Sequence, residues 1–202
     1  MTTAILVIDM QNGFIHENGS LPSQGVGLPH VPEVIAENAE LLSAARGLGL
    51  PIIYTRHVFR PDFVEVPPAM LAKLPMDPPP LVRGSWDAEI HDDLAAEPGD
   101  KIIDKSRYDA FLYTDLETVL RGLGVTRLLV TGVVTSICVE STVRSGQQRD
   151  FEMLVASDCC SAPEQFHQPA LEVMAATFAE VATWRELMER HLTPTAEVVQ
   201  AV

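Results

Sequence analysis

The chain has 202 residues, and its 14 Lys and Arg against 28 Asp and Glu give a formal net charge of −14. This acidic balance argues against a nucleic-acid partner and against attachment to an anionic membrane surface, because both depend on clustered Lys and Arg. A hydrophobic fraction of 47% excludes a disordered chain, and three cysteines are too few for a disulfide framework. We therefore expect a soluble, cytoplasmic protein with a single domain over residues 1–202.

Buried strands alternate with helices along the chain. The apolar run Ala4–Ile8 is typical of a strand buried on both faces, and it is too short for a signal peptide or a membrane span. Further strands are predicted at 51–55, 101–104, 127–131, 152–156 and 181–183. Helices are predicted at 31–46, 114–121, 139–149, 168–179 and 184–191. Thr114 and Glu117 have the spacing of a capping box for the second helix. The alternation predicts an α/β fold with one mostly parallel sheet covered on both faces.

Residues 59–86 interrupt this alternation. The segment is rich in proline, and we interpret it as a long irregular excursion of the kind that often forms a lid or an assembly surface. Its large apolar residues are Phe59, Phe63, Met70, Met76 and Trp86. Because so much apolar surface is unfavourable in water, we expect a homo-oligomer, either a dimer or a tetramer, with this segment at an interface or in a neighbour's pocket. Residues 193–202 are interpreted as a loose tail.

Three reactive side chains lie at the carboxyl ends of predicted strands: Asp9 and Lys105 directly follow theirs, and Cys138 comes after a strand and a tight turn. In parallel sheets, ligands bind beyond the carboxyl ends of the strands. Cys138 opens a predicted helix, whose free N–H groups and dipole favour a thiolate and could hold an oxyanion. Asp9 could take the thiol proton, and the Lys105 ammonium would keep Asp9 ionised. Each residue alone also fits a structural role: an apolar buried cysteine, a turn carboxylate and a surface lysine.

The motifs around these residues resemble a known family. Asp9 in ILVIDMQNGF, Lys105 in DKSRYDAF and Cys138 in VTGVVTSICVEST resemble the Asp–Lys–Cys triad of the isochorismatase-like cysteine hydrolases, and the likeness covers residues 4–183. The resemblance implies a Rossmann-like, three-layer α/β/α fold with a six-stranded sheet. It also implies a cis peptide bond between Val133 and Val134, with an oxyanion hole formed by the N–H groups of Val134 and Cys138.

Members of this family differ in their chemistry. Nicotinamidase-like members carry an Asp-x-His metal motif after the second strand, whereas this chain has Thr55-Arg56-His57, so the resemblance implies no catalytic metal. Members that cleave isochorismate lack the cysteine. The segments YTRHVFRPD, RGSWDAEI and DKSRYDAF most resemble the carbamoyl-amide branch: N-carbamoylsarcosine amidase, biuret hydrolase and ureidoacrylate amidohydrolase. Streptothricin hydrolase, which opens a cyclic amide, is another similar protein. Asp109 and Phe178 depart from the pattern of the branch, which leaves the exact substrate open.

Four aromatic residues flank the predicted crevice and fit either substrate-pocket walls or ordinary core packing: Phe14, Trp86, Tyr108 and Phe111. Arg60 and Arg83 could bind a substrate carboxylate, but we assign both to surface charge. We assign His57 a structural role, and Gln11 and Asn12 the stabilisation of the turn after Asp9.

We therefore predict a metal-independent cysteine hydrolase, without a cofactor, that cleaves a C–N bond of a small amide, ureido or cyclic-amide substrate. Asp9 takes the Cys138 proton with help from Lys105, the thiolate attacks the carbonyl carbon, and water hydrolyses the thioester. Two alternatives remain at this point. One is a thiol-bearing binding or redox protein in which Cys138 is oxidised without turnover, and the other is a pseudoenzyme retained for assembly.

Overall fold

One parallel sheet organises the protein, which we describe from a computed structural model over residues 2–192. Its strand order is β3-β2-β1-β4-β5-β6, and every neighbouring pair is parallel. The strands are β1 (Thr2–Ile8), β2 (Ile52–His57), β3 (Lys101–Lys105), β4 (Val125–Val133), β5 (Glu152–Ser161) and β6 (Glu180–Ala182). This arrangement confirms the predicted Rossmann-like α/β fold.

Helices lie between the strands. The longer ones are α3 (Val31–Gly47), α5 (Leu116–Gly122), α6 (Glu140–Gln147), α7 (Glu164–Thr177) and α8 (Trp184–His191). Single turns of helix form α1 (Asn12–Ile15), α2 (Ser20–Ser23) and α4 (Pro68–Leu71). Short 3₁₀ turns cover Trp86–Ala88 and Asp92–Leu94, and a wide π-type turn, Thr135–Val139, joins β4 to α6. Within residues 2–192 no helix is long and apolar enough to cross a bilayer.

The central strand β1 separates two apolar layers. Ala4, Leu6 and Ile8 pack with residues of α5, α6 and α7 on one face, and Ile5 and Val7 pack with α3 and α8 on the other. All five side chains are fully buried. A strand covered on both faces explains why the sequence shows a continuous apolar run rather than an alternating one.

Some predicted boundaries are wrong for identifiable reasons. Helix α7 begins at Glu164, four residues before the predicted start at 168, and continues through Pro169 because its inner face is held by core packing. The capping box predicted for α5 is absent. The helix begins at Leu116, and the Glu117 side chain forms ion pairs with Arg121 and Arg149 rather than a hydrogen bond to the start of the helix. Strand β5 runs to Ser161 and therefore includes both Cys159 and Cys160, which are buried free thiols.

The proline-rich segment 59–86 is mostly irregular, apart from α4, but it packs on itself. Phe59, Phe63, Val66 and Leu81 form a small buried cluster, whereas Met76 and Trp86 are 43% and 50% exposed. Phe59 and Phe63 are therefore buried within the chain itself and do not support the expected interface, and the homo-oligomer stays a prediction. The predicted tail, 193–202, lies outside the described residues.

Candidate active site

The strand ends bring Asp9, Lys105 and Cys138 to one edge of the sheet. Asp9 follows β1, Lys105 ends β3, and Cys138 lies in the wide turn after β4. Strand β2 separates β1 from β3, so the two strand axes are about 10 Å apart. The long lysine side chain crosses that gap, and Lys105 Nζ lies 2.6 Å from Asp9 Oδ2.

The Asp9–Lys105 ion pair is completely enclosed, with both side chains at 0% exposure. Lys105 Nζ also donates to the carbonyl of Arg107 at 3.0 Å. The other carboxylate oxygen, Asp9 Oδ1, accepts a hydrogen bond from the Thr55 hydroxyl at 2.6 Å. Asp9 itself has a positive φ of 51°, and its N–H donates to Thr55 at 3.2 Å. Strand β2 thus fixes the direction in which the carboxylate points.

Burial and neighbouring charges set the protonation states of the site. Burial disfavours the charge on Lys105, but attraction to Asp9 and Cys138 outweighs it, so the pKa of Lys105 lies above its usual value. Burial raises the pKa of the Cys138 thiol to about 12, with Lys105 lowering it and the Asp9 carboxylate raising it. The helix terminus and Lys105 favour a thiolate, but burial outweighs them, so Cys138 is a protonated thiol near neutral pH.

The turn that carries Cys138 depends on a close approach between β4 and β1. Gly132 has φ +107°, and a Cβ there would lie 2.0 Å from the carbonyl oxygen of Ile8, which only glycine avoids. The peptide bond between Val133 and Val134 is cis. The carbonyl of Val134 accepts hydrogen bonds from the N–H groups of Ile137 and Val139, at 2.9 and 3.3 Å. These bonds close the turn around Val134 and hold Cys138 beside it.

A cavity of about 230 Å³ opens over the Cys138 thiol. Phe14 and Tyr108 line it, as does Val134. Two other predicted wall residues do not. Trp86 is half exposed and packs edge-on against a neighbouring ring, and Phe111 is buried in the core, where it stacks on Phe151 at 5.7 Å. A larger cavity of about 630 Å³ lies against α3 and contains none of the three reactive residues.

His57 lines the same cavity, although its sequence context indicated only a structural role. Its N–H donates to Gln11 Oε1 at 2.7 Å and its carbonyl accepts from Gln11 Nε2 at 3.0 Å, so Gln11 stabilises this region as predicted. The ring is 2% exposed and its Nε2 atom has no hydrogen-bond partner. Burial, followed by the charges of Lys105 and Arg107, holds the pKa of His57 well below its usual value, so the ring is neutral. His57 lies at the end of β2, between the strands that carry Asp9 and Lys105, and this position in the sequence could have predicted its place in the cavity wall.

The charged residues considered for carboxylate binding lie elsewhere. Arg60 is exposed and lies 4.0 Å from Glu65, and Arg83 is exposed and pairs with Asp104 at 3.0 Å. Neither guanidinium lines the cavity over Cys138. Their assignment to surface charge agrees with these positions.

Asp9, His57 and Cys138 also present ligand atoms within 4.8 Å of one another, the spacing of a metal site. A cation there would compete with the Lys105 ammonium for Asp9 Oδ2 and be repelled by it at short range. The donor set therefore fits an ion pair better than a metal ion, and metal independence stays a prediction.

The likeness to known proteins extends over most of the chain. A profile of the isochorismatase domain matches residues 3–186. The chain belongs to the isochorismatase family. It is 34% identical over 196 residues to the ureidoacrylate amidohydrolase RutB of Methylobacterium radiotolerans, covering 90% of this chain and 76% of that protein. Its identity with RutB of Caulobacter vibrioides is 32% over 197 residues, covering 90% and 88% of the two chains.

Solved structures agree with this assignment. A cysteine hydrolase from Pseudomonas syringae pv. phaseolicola superposes with a TM-score of 0.84 at 30% identity, covering 93% of this chain and 91% of that one. N-carbamoylsarcosine amidase from Thermoplasma acidophilum shares the fold, with a TM-score of 0.76 at 22% identity and 91% and 97% coverage. The similarity to the RutB proteins and to the Pseudomonas cysteine hydrolase confirms the predicted resemblance to cysteine hydrolases of the carbamoyl-amide branch.

Proposed function

We propose that this hydrolase cleaves the C–N bond of a small amide, ureido or cyclic-amide substrate through a thioester on Cys138, without a metal or another cofactor. The observation that carries the proposal is the position of a buried thiol between a substrate-sized cavity and an enclosed Asp9–Lys105 ion pair. The similarity to ureidoacrylate amidohydrolases supports the ureido and amide classes of substrate.

The protonation states define the order of events. Asp9 takes the proton from Cys138 as sulfur bonds to the substrate carbonyl carbon. The oxyanion is held by the N–H groups of Val134 and Cys138. Protonated Asp9 then gives its proton to the leaving nitrogen, the C–N bond breaks, and ammonia or an amine departs. Asp9 next removes a proton from water, the hydroxide attacks the thioester, and the thiol is restored as the acid product leaves.

Lys105 serves both halves of this cycle. It pairs with the Asp9 carboxylate at 2.6 Å, and it attracts the thiolate as that charge forms, because it lies close to both groups. A role for Cys138 as a redox switch is disfavoured, since oxidation requires a thiolate and burial raises the pKa of this thiol to about 12.

The test follows a panel of primary amides, ureido compounds and cyclic amides by product release, with intact-mass analysis for an acyl adduct. Cys138→Ala should abolish both turnover and adduct, whereas Cys159→Ala, which removes a buried thiol within β5, should retain both. Turnover of Cys138→Ala within tenfold of the wild type would remove Cys138 as the nucleophile.

We also infer a homo-oligomer, a dimer or tetramer, that works in the cytoplasm. Exposed apolar side chains support assembly, among them Val64 at 73% and Tyr113 at 81% exposure. Three free cysteines accord with a reducing compartment. Light scattering at micromolar concentration should give a multiple of 22.1 kDa, and a mass equal to that of one chain would contradict the assembly.

A further inference from the structure

The lining of the cavity over Cys138 narrows the substrate class. We propose that it accepts a neutral amide or ureido compound with an apolar body and discriminates against substrates that carry a carboxylate. This inference rests on the proposed function. The relatives are named ureidoacrylate amidohydrolases, and ureidoacrylate carries a carboxylate. The substrate proposed here is therefore different in charge from the one in their name.

The walls of the cavity are predominantly apolar. Apolar side chains come from α2, from the loop before α3, from the proline-rich segment and from the turn Thr135–Val139: Leu21, Leu28, Phe59, Met70, Leu81 and Ile137. Phe59 and Leu81 belong to the buried cluster of the proline-rich segment, so this segment forms a fixed wall. A volume of about 230 Å³ suits a small molecule, and apolar walls favour apolar surface on that molecule.

No guanidinium of the described residues, 2–192, is available to pair with a substrate carboxylate inside this cavity. Arg60 and Arg83 point to surface partners, and Arg107 donates to the backbone carbonyls of Glu65 and Ser106. The Lys105 ammonium is already paired with Asp9. A carboxylate buried here would lose its hydration without gaining a bidentate partner.

Lys73 is the one cationic residue that the described part of the chain places in the lining, and it is exposed. An ammonium in contact with solvent attracts a carboxylate weakly, because water and salt screen the interaction. The net charge of −14 adds a general repulsion for anions that approach the protein. The neutral polar groups of the wall, His57 and Tyr108, instead suit the carbonyl and amide of an uncharged substrate.

Two matched pairs of compounds test the inference: butanamide against the monoamide of succinic acid, and n-propylurea against 3-ureidopropanoate. In each pair a terminal methyl group is replaced by a carboxylate while the scissile group is kept. We expect kcat/KM to be at least about tenfold higher for the neutral member, the scale of discrimination that one pocket group supplies.

Val26→Arg adds a guanidinium to the cavity wall at a position that is 52% exposed, so folding should be preserved. It should move the ratio of kcat/KM toward the anionic member by about tenfold. Leu48→Arg is the control, because Leu48 is 51% exposed but lies before β2, at the opposite edge of the sheet, and it should leave the ratio unchanged.

The outcomes separate this inference from the proposed function. Product release from both members of a pair with equal or higher kcat/KM for the anion would overturn the inference and leave the hydrolase intact. The inference is also overturned if the wild type prefers the anionic member and Lys73→Met loses that preference. That result would show that Lys73 binds the substrate carboxylate. Absence of product and of a Cys138 adduct with every compound tested, amides and ureas alike, would overturn both.

Discussion

Replacing Lys105 with methionine removes the ammonium that lies 2.6 Å from Asp9 Oδ2 and leaves the carboxylate fully buried. At an effective dielectric constant of 20, two unit charges at that separation attract each other by about 6 kcal/mol before the cost of desolvation is subtracted. Removing one partner of a buried ion pair destabilises a protein by about 3–5 kcal/mol, because the remaining charge is uncompensated. Asp9 in the variant should therefore take up a proton.

A protonated Asp9 cannot accept the proton of Cys138, so kcat of Lys105→Met should fall by about a hundredfold or more, the usual contribution of a general base. The free energy of unfolding should fall by about 3 kcal/mol. The pKa of Lys105 is raised by folding, so its stabilising effect is complete below about pH 10.5, its unfolded value, and is lost only as the pH rises through the folded value. In the variant, however, a protonated Asp9 would ionise on unfolding, so the deficit should increase as the pH rises through the neutral range.

The assay combines steady-state product release from pH 6 to pH 9 or so with urea unfolding of the same samples. Lys101→Met is the matched control, because Lys101 begins the same strand and is exposed. Lys105→Arg should rescue poorly, since a planar guanidinium does not fit the space of a compact ammonium. Wild-type kcat in a folded Lys105→Met variant would refute the reasoning and leave the Asp9–Cys138 pair without its electrostatic support.

The same site supports three further predictions. The rate of Cys138 alkylation by iodoacetamide should continue to rise with pH beyond about pH 9, because burial raises the pKa of the thiol to about 12. Asp9→Asn should shift this pH–rate profile to lower pH, because it removes a carboxylate that repels the thiolate. An unshifted profile would contradict this account. The free energy of unfolding should decline as the pH falls below about 6.5, because His57 takes up a proton in the unfolded chain but not when it is buried in the fold. His57→Gln should reduce this dependence on pH by about 1.4 kcal/mol per pH unit, measured by urea unfolding at several pH values. An unchanged dependence would show that His57 is protonated in the fold. Dialysis against a chelator should leave turnover unchanged, and a loss that zinc restores would overturn metal independence.

Local patterns were sufficient to predict the sheet and the three strand ends. The run Ala4–Ile8 is apolar at every position because both faces of β1 are covered, and this placed Asp9 at the strand's carboxyl end. The same reasoning placed Lys105 and Cys138. In a parallel sheet the carboxyl ends of all strands lie at the same edge, so these three residues could be expected close together without knowledge of side-chain packing.

Properties that depend on folding over long distances were not predictable. Phe59 and Leu81 meet because the irregular segment between them closes on itself, and no periodicity encodes that closure. Phe111 lies on the core side of its loop rather than the cavity side, a choice that the sequence leaves open for any aromatic residue near a strand end. The role of His57 in the cavity wall depends on β2 extending two residues beyond its predicted end.

The thiol pKa shows most clearly why a motif does not define a mechanism. A helix terminus and a nearby ammonium suggest a thiolate, yet complete burial leaves Cys138 neutral with its pKa raised to about 12. The resting site therefore holds one negative charge, on Asp9, and one positive charge, on Lys105. When the proton moves from Cys138 to Asp9, the negative charge moves to sulfur and remains beside the same ammonium, so the total charge of the enclosed site is unchanged. The electrostatic cost of forming the thiolate is then the difference between two similar ion pairs rather than the cost of creating a buried charge. A neutral substrate preserves that balance, whereas a substrate carboxylate in the adjoining apolar cavity would add a second negative charge opposite a single ammonium.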